Sequence, residues 1–263
     1  MRTALVTHPA CLDHKTPATI HEKPARLERV LQALDPLGLP TYQARLATDK
    51  DLCRLHTPEH VKAMFDAIPN DGFLCLDEGV DDETFLSPTS AEAMRRAAGG
   101  VMDAVDLVLA GKATNAFVAV RPPGHHATQD LAMGFCFFGN VALGAAYALE
   151  QVERVAIVDF DVHHGNGTQA LLWDEPRALV ITSQQFPHWP GSGDASDISP
   201  HGNVVNIPLA PHTGGAVMRA AYLDRVFPRL RIFKPDLILI SAGFDAHQAD
   251  PLGDLQWGED DFV

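Results

Sequence analysis

Residues 155–166 read Val155-Ala156-Ile157-Val158-Asp159-Phe160-Asp161-Val162-His163-His164-Gly165-Asn166. An apolar run of strand length gives way at once to aspartates and histidines. An unbroken Val/Ala/Ile run suits a parallel strand buried on both faces. The polar residues after it then stand at the carboxyl end of that strand, where open α/β sheets bind their ligands. Two other segments repeat the arrangement. Pro122-Pro123-Gly124-His125-His126 follows the apolar run 116–120, and Gly243-Phe244-Asp245-Ala246-His247 follows Leu237–Ser241. Three strand ends that finish in metal-ligand or acid–base residues point to one metal-centred hydrolytic site.

Further apolar runs predict strands at Thr3–Thr7, 178–182 and 204–207, besides 116–120, 155–160 and Leu237–Ser241. Helical patterns lie between them at Pro24–Leu34, Ser90–Leu109, 140–149 and 217–230, and Ser87-Pro88-Thr89-Ser90 offers hydroxyl N-caps. This alternation predicts an α/β fold: a single domain over residues 1–263 with a doubly wound parallel β-sheet flanked by helices. The longest loop, 184–203, holds Phe186-Pro187-His188-Trp189-Pro190-Gly191-Ser192-Gly193, and a loop of that length is functional or mobile.

Composition narrows the function. With 263 residues, 46% of them hydrophobic, the chain can bury a substantial core. No apolar stretch reaches membrane-span length, and the N-terminus reads as a first strand rather than a signal peptide. The four cysteines are scattered without a Cys-x-x-Cys pair, which argues against a thiolate zinc site and a disulfide framework. A cytoplasmic location is the default expectation. A net charge of −14 argues against nucleic-acid binding and is compatible with cationic substrates such as polyamines or basic peptides. The sequence does not fix the oligomeric state, and a homo-oligomer is compatible with it.

Asp161 and His163 are two residues apart, so strand geometry would point both to one side, with Asp159 one step deeper. Asp245 ends another strand. Two carboxylates and an imidazole around a divalent ion leave a position open for water and substrate, the catalytic rather than the structural arrangement. Carboxylate ligands acidify the bound water less than histidines do, so a nearby base becomes useful. His125 and His126 meet that need as one base and one electrostatic helper. Taken singly, His164, His188, His201, His212 and His247 read as ordinary polar contacts. Phe135 and Trp189 suit core packing as well as a substrate wall.

The ordered motifs resemble the histone deacetylase-like family of the arginase/deacetylase fold, closest to bacterial class II-type members and their acetylpolyamine-hydrolysing relatives. They are His21-Glu22-Lys23-Pro24-Ala25-Arg26-Leu27, Arg121-Pro122-Pro123-Gly124-His125-His126-Ala127, Gly134-Phe135-Cys136-Phe137-Phe138-Gly139-Asn140, Asp159 to Thr168, Pro190-Gly191-Ser192-Gly193 and Ser241 to His247. The resemblance implies Asp161, His163 and Asp245 as ligands of one Zn2+, with Fe2+ or Co2+ as substitutes. It implies His126 as general base and then acid, His125 as its electrostatic partner held by Asp159, and Asn166 as the residue orienting His126. Gly134, Phe135 and Trp189 would flank an acyl-lysine tunnel, and Asp82 or Asp81 would grip the substrate on the rim. Arg26 would line an internal channel for acetate exit. Ser183, with Asp159, Asp161 and His163, would surround a structural K+.

The family also carries a Gly-Gly-Tyr segment downstream of the point where this chain stops, and its Tyr donates to the developing oxyanion. Tyr42, Tyr147 and Tyr222 stand in other contexts, so the fold is expected to lack its C-terminal part. The implied function is zinc-dependent removal of acetyl or other acyl groups from acyl-lysine or acetylated polyamines by metal-activated water. An arginase-like binuclear hydrolase is one alternative, although Gly165 stands where a further bridging ligand would be wanted. A catalytically weak acyl-lysine- or metal-binding module is the other.

Overall fold

The computed structural model describes residues 3–79 and 81–263. They form an α/β fold of parallel sheets flanked by helices, in two compact units, Met1–Tyr147 and Ala148–Val263.

In the first unit, β1 (Thr3–Thr7) is followed by α1 (Ala10–Asp13) and α2 (Pro24–Leu34). Then come β2 (Thr41–Gln43), α3 (Asp49–Leu52), α4 (Pro58–Asp66), the short antiparallel pair β3 (Leu74–Cys75) and β4 (Phe85–Leu86), α5 (Ser90–Leu109), β5 (Asn115–Ala119) and α6 (Asn140–Ala148). The sheet order is β2-β1-β5, all parallel. The small residues of α5 let it pack close to the chain after β2: a Cβ on Gly99 would fall 2.1 Å from the Arg45 carbonyl oxygen. Met94, Ala98 and Met102 of α5 join Leu52, Val61, Leu86, Phe137 and Phe138 in a buried cluster.

The expected hydroxyl cap of α5 takes another form. Thr89 makes no side-chain bond to the helix start, and its hydroxyl donates instead to the Asp13 carbonyl. Ser90 Oγ accepts from the Ser87 amide at 2.8 Å.

In the second unit, β6 (Val155–Asp159), α7 (Asn166–Leu171), β7 (Ala178–Gln185), β8 (Val204–Leu209), α8 (Gly215–Ala221), α9 (Phe227–Phe233) and β9 (Leu237–Ser241) follow in order. The sheet runs β8-β7-β6-β9, all parallel. The chain winds outward from β6 through β7 to β8 and then returns to the other side of β6 with β9. The order therefore reverses between β6 and β9, and the crevice at their carboxyl ends is the place where such sheets bind ligands. Every residue of β6 and β7 is buried.

Two expectations need correction here. β9 was read as buried on both faces, but Ile238 and Ile240 are 47% and 61% exposed on a strand that pairs only with β6 among the described residues. The helix predicted over 217–230 is α8 and α9 joined by a π-turn, Tyr222–Val226. Pro228 has no amide hydrogen and cannot close an α-helical bond at that point, so the turn widens. No described helix is long and apolar enough to cross a membrane.

Burial places two histidines of the first unit well below the ordinary range. Desolvation, then the Arg121 charge, lowers His14 to about 3; desolvation, then neighbouring His60, lowers His56 to about 4. The unfolded chain therefore binds protons that the folded chain refuses once pH falls below about 6.5, the ordinary imidazole value. Each histidine should remove about 2 kcal/mol of stability between pH 7 and pH 5. Urea denaturation at the two pH values checks this, and His56→Gln should flatten part of the dependence.

Candidate metal centre

Beyond Asp159 the chain leaves the strand and turns. The Phe160 amide bonds the Ser241 carbonyl at 3.3 Å, continuing the β6–β9 pairing one step past the register Asp159↔Ser241. Asp159 Oδ1 then accepts from the Asp161 amide at 3.0 Å, and Asp161 Oδ1 from the His163 amide at 2.8 Å. Each carboxylate thus bonds the backbone two residues ahead, the Asx-turn habit of aspartate. These turns, and not the strand pleat expected from the sequence, bring Asp161 and His163 to the same place.

Asp245 arrives from the end of β9. Its Oδ1 accepts from the Val162 amide at 2.9 Å. His163 Nδ1 stands 3.0 Å from Asp161 Oδ1 and 3.0 Å from Asp245 Oδ2. Among the described residues, Asp161, His163 and Asp245 form the one group able to hold a metal ion, with their ligand atoms within 4.8 Å of one another.

Two glycines make room for this set. A Cβ on Gly243 would lie 2.0 Å from Asp161 Oδ2, and one on Gly253 would lie 2.6 Å from Val162 Cγ2. The donor set fits a divalent cation: two hard carboxylate oxygens and one imidazole nitrogen, fewer protein ligands than a closed structural site takes. The electrostatics agree. Burial works against a charged His163, but the hydrogen bonds and charges of Asp161 and Asp245 outweigh it and push the imidazole up to about 10. Burial and then the Asp161 charge raise the Asp245 carboxyl. The carboxylates call for a positive charge between them, and without a metal the His163 proton supplies it.

Around these three lie Trp189, which the resemblance implies as a tunnel wall, and two histidines that read singly as ordinary polar contacts. His188 stacks on His163, centroids 5.0 Å apart and 24° between planes, and Trp189 meets His163 edge-on at 5.8 Å. His188 Nε2 lies 3.0 Å from the Leu252 carbonyl oxygen, which fixes that ring. His164, which reads singly as an ordinary polar contact, is buried between Ser192 Oγ at 2.8 Å and Gln169 Oε1 at 3.0 Å. A loop side chain that reaches back by stacking leaves no local signal in the sequence.

The other predicted residues fall as follows. Asp159 is buried, and Ser183, also buried, places its Oγ 3.4 Å from the Asp159 carbonyl and 2.9 Å from the Tyr222 hydroxyl. Asn166 opens α7.

In the first unit, His125 and His126 are buried, their ring centroids 3.8 Å apart. Gly134 and Phe135, both at positive φ (55° and 66°), form a tight turn closed by the Met133 and Cys136 amides and carbonyls. The Phe135 amide donates to Thr84 Oγ1 at 3.0 Å. Asp82 is exposed, and its Oδ1 accepts from the Gly79 amide at 2.6 Å. The Asp81 amide bonds the Asp77 carbonyl. Arg26 departs from expectation: it is exposed on the first turn of α2, not set in an internal channel, because the apolar side of that helix is carried by Leu27, Val30 and Leu31. Among the described residues of this unit, the buried guanidinium is Arg121.

Loading a divalent cation between Asp161, His163 and Asp245 must expel the His163 proton. At pH 7, titration calorimetry with zinc should give an apparent enthalpy that varies with the ionisation enthalpy of the buffer, reporting about one proton released per ion. No buffer dependence would contradict the geometry. Gly243→Ala should weaken zinc binding by at least about 10-fold by displacing the Asp161 carboxylate, which equilibrium dialysis measures.

A family model described as the histone deacetylase domain matches residues 20–263. A histone deacetylase-like amidohydrolase of Pseudomonas aeruginosa is 41% identical over 253 residues, which are 92% of this chain and 65% of that protein. The polyamine deacetylase HDAC10 of Homo sapiens is 36% identical over 252 residues, 89% of this chain and 38% of that protein. The chain thus spans less than two thirds of each of these two relatives. Among solved structures, the HD domain of HDA15 matches with a TM-score of 0.90 at 32% identity, covering 98% of this chain and 79% of that one. The three converging side chains at the β6–β9 crevice and these likenesses agree: the chain belongs to the histone deacetylase domain family.

Proposed function

We propose that this chain is a zinc-dependent amidohydrolase that removes acetyl or related acyl groups from acyl-lysine or acetylated polyamines. The observation that carries the reading is the convergence of Asp161, His163 and Asp245 at the strand-order reversal, two carboxylates and one imidazole around one point. Family membership directs that site toward amide hydrolysis.

A divalent ion held there supplies Lewis acidity toward water and the acyl carbonyl. The remaining work falls to this chain's residues. Asp161 and Asp245 are oriented by the His163 and Val162 amides, so their lone pairs are fixed before any ion arrives. His188 and Trp189 pack against His163 and hold its ring in place. In this reading, His126 takes the proton of the attacking water and returns it to the leaving amine, with His125 beside it as electrostatic partner. The family resemblance would give Asn166 the role of orienting the base, and Phe135 and Trp189 that of walls along the acyl-bearing chain. In the same reading Ser183, with Asp159, Asp161 and His163, would surround a structural K+.

The two substrate classes share the amide and differ in the charge beyond it, so direct competition ranks them. Zinc-loaded protein is given an acetyl-lysine peptide and an acetylpolyamine, with amine release measured. Asp245→Ala should lose both zinc and turnover. His126→Ala should keep zinc while kcat falls about 100- to 10,000-fold, the usual worth of a positioned general base. Stoichiometric zinc binding with no hydrolysis of either substrate would sink the enzyme reading and leave a binding module.

A further inference from the structure

The first unit places an unusual number of buried polar groups just ahead of His125. The loop that carries the histidines begins Arg121-Pro122-Pro123-Gly124, and its two prolines bring no amide hydrogens. A loop so poor in donors must be held by other groups.

Arg121, only 4% exposed, forms a two-pronged ion pair with the carboxylate of Glu22, which is 1% exposed. The Arg121 Nη1 also donates to the Cys11 and His14 carbonyls at 2.9 and 3.0 Å. One residue on, Asn140 Nδ2 donates to the Pro122 carbonyl at 3.1 Å. Two residues further, Gly124 lies flat on the same asparagine: a Cβ there would be 2.5 Å from the Asn140 nitrogen and 2.9 Å from its Cγ.

Asn140 is itself fixed. Its amide bonds the Phe138 carbonyl at 2.9 Å, the neighbouring Gly139 amide donates to His56 Nε2 at 2.9 Å, and His60 Nε2 lies 2.9 Å from the Phe137 carbonyl.

We propose that Asn140 and the buried Glu22–Arg121 pair are positioning residues that set the orientation of His125 and His126. The inference rests on the amidohydrolase reading for its catalytic meaning and on the first unit's own contacts for its geometry. A buried ion pair adds little net stability compared with apolar residues of the same size, because both charges lose water. What the two-pronged pair adds is direction, since a guanidinium and a carboxylate fit in one plane and at one separation. Arg121 fixes the root of the loop in that way. Asn140 fixes the next carbonyl and provides the floor under Gly124. His125 begins one residue later, so its backbone has little freedom left. A misplacement of about 1 Å in a proton-transfer group can cost about 100-fold in rate.

Asn140→Asp is the sharper test. It keeps size but removes both amide hydrogens and sets a carboxylate oxygen against the Pro122 carbonyl. Arg121→Lys is the second variant, keeping the charge while losing the fork. In zinc-loaded protein both should keep zinc stoichiometry and KM within about 2-fold. The kcat should drop about 10- to 100-fold, and the acidic limb of the kcat/KM pH profile should move. Asn140→Ser, which retains a hydroxyl donor, should recover part of the loss.

Independently of turnover, the 15N imidazole resonances of His125 and His126 should shift and titrate differently in Asn140→Asp; their signals can be assigned with His125→Gln and His126→Gln. Unchanged kcat, pH profile and imidazole signals in a folded, zinc-loaded Asn140→Asp protein would overturn the proposal. So would an activity loss that only follows the unfolded fraction. If the wild-type protein hydrolyses neither substrate class, the amidohydrolase reading fails, and the imidazole spectra alone decide the positioning claim.

Discussion

Two carboxylates aimed at one imidazole nitrogen are the arrangement on which the second unit depends. Asp161 and Asp245 repel each other, and burial raises the cost of their charge. The fold tolerates the pair because the backbone prepares it. The Asp159 carboxylate turns the chain after β6, and the amides of His163 and Val162 are each given to a ligand carboxylate. The buried strands β6 and β7 supply the rigid wall, and the register of β6 on β9 brings Asp159 opposite Ser241, so the two ligand-bearing ends emerge side by side. Gly243 is then forced by sterics, since Asp161 occupies the space where a side chain would be. A positive charge resolves the repulsion, whether it is the His163 proton or a divalent ion.

The parts of this design legible in the sequence were those written in continuous patterns. Thr3–Thr7, Pro24–Leu34, Ser90–Leu109 and Leu237–Ser241 match their predicted bounds because unbroken apolar runs or a regular apolar stripe with clear ends define them. The group able to hold a metal ion, Asp161, His163 and Asp245, was legible because charged residues directly after buried strands have few structural uses. β2 was missed since its three residues are all exposed and carry no burial pattern. α4 was missed although Thr57 and Pro58 mark its start; Thr57 Oγ1 accepts from the His60 amide, but nine residues offer a short stripe. The π-turn between α8 and α9 is a backbone response to Pro228 that leaves the apolar spacing unchanged. His188 and Gly243 owe their importance to atoms far away in sequence, which no local pattern can encode.

The loop predicted over 184–203 begins at 186, because β7 continues to Gln185, and it follows the same logic. Its length alone permitted either a mobile or a functional reading. Its contacts show a tethered segment: Gln184 Nε2 donates to the Gly193 carbonyl, Asn206 Nδ2 to the Asp194 carbonyl, and Asn203 Nδ2 to three carbonyls between Leu172 and Ala178. Side-chain amides of β7, of β8 and of the residue just ahead of it take the place of a backbone ladder. His164 is wedged against Gly193, where a Cβ would come within 2.6 Å of the ring. His188 and Trp189 therefore approach His163 from a held position, and the ordering entropy of that wall is met during folding rather than on binding.

The groups that hold the geometry differ from those able to exchange protons near neutral pH. In the first unit, burial keeps His14 and His56 neutral far below pH 6, so their hydrogen bonds to Ser90 and Gly139 persist unchanged through the range where an imidazole base operates. The buried charged pair there, Glu22 with Arg121, is closed on itself by two hydrogen bonds and by the Cys11 and His14 carbonyls. In the second unit the carboxylates of Asp161 and Asp245 hold a proton on His163, which a metal ion bound there would displace. A scaffold whose supports do not titrate keeps the loop that carries the buried His125–His126 pair in place across that range.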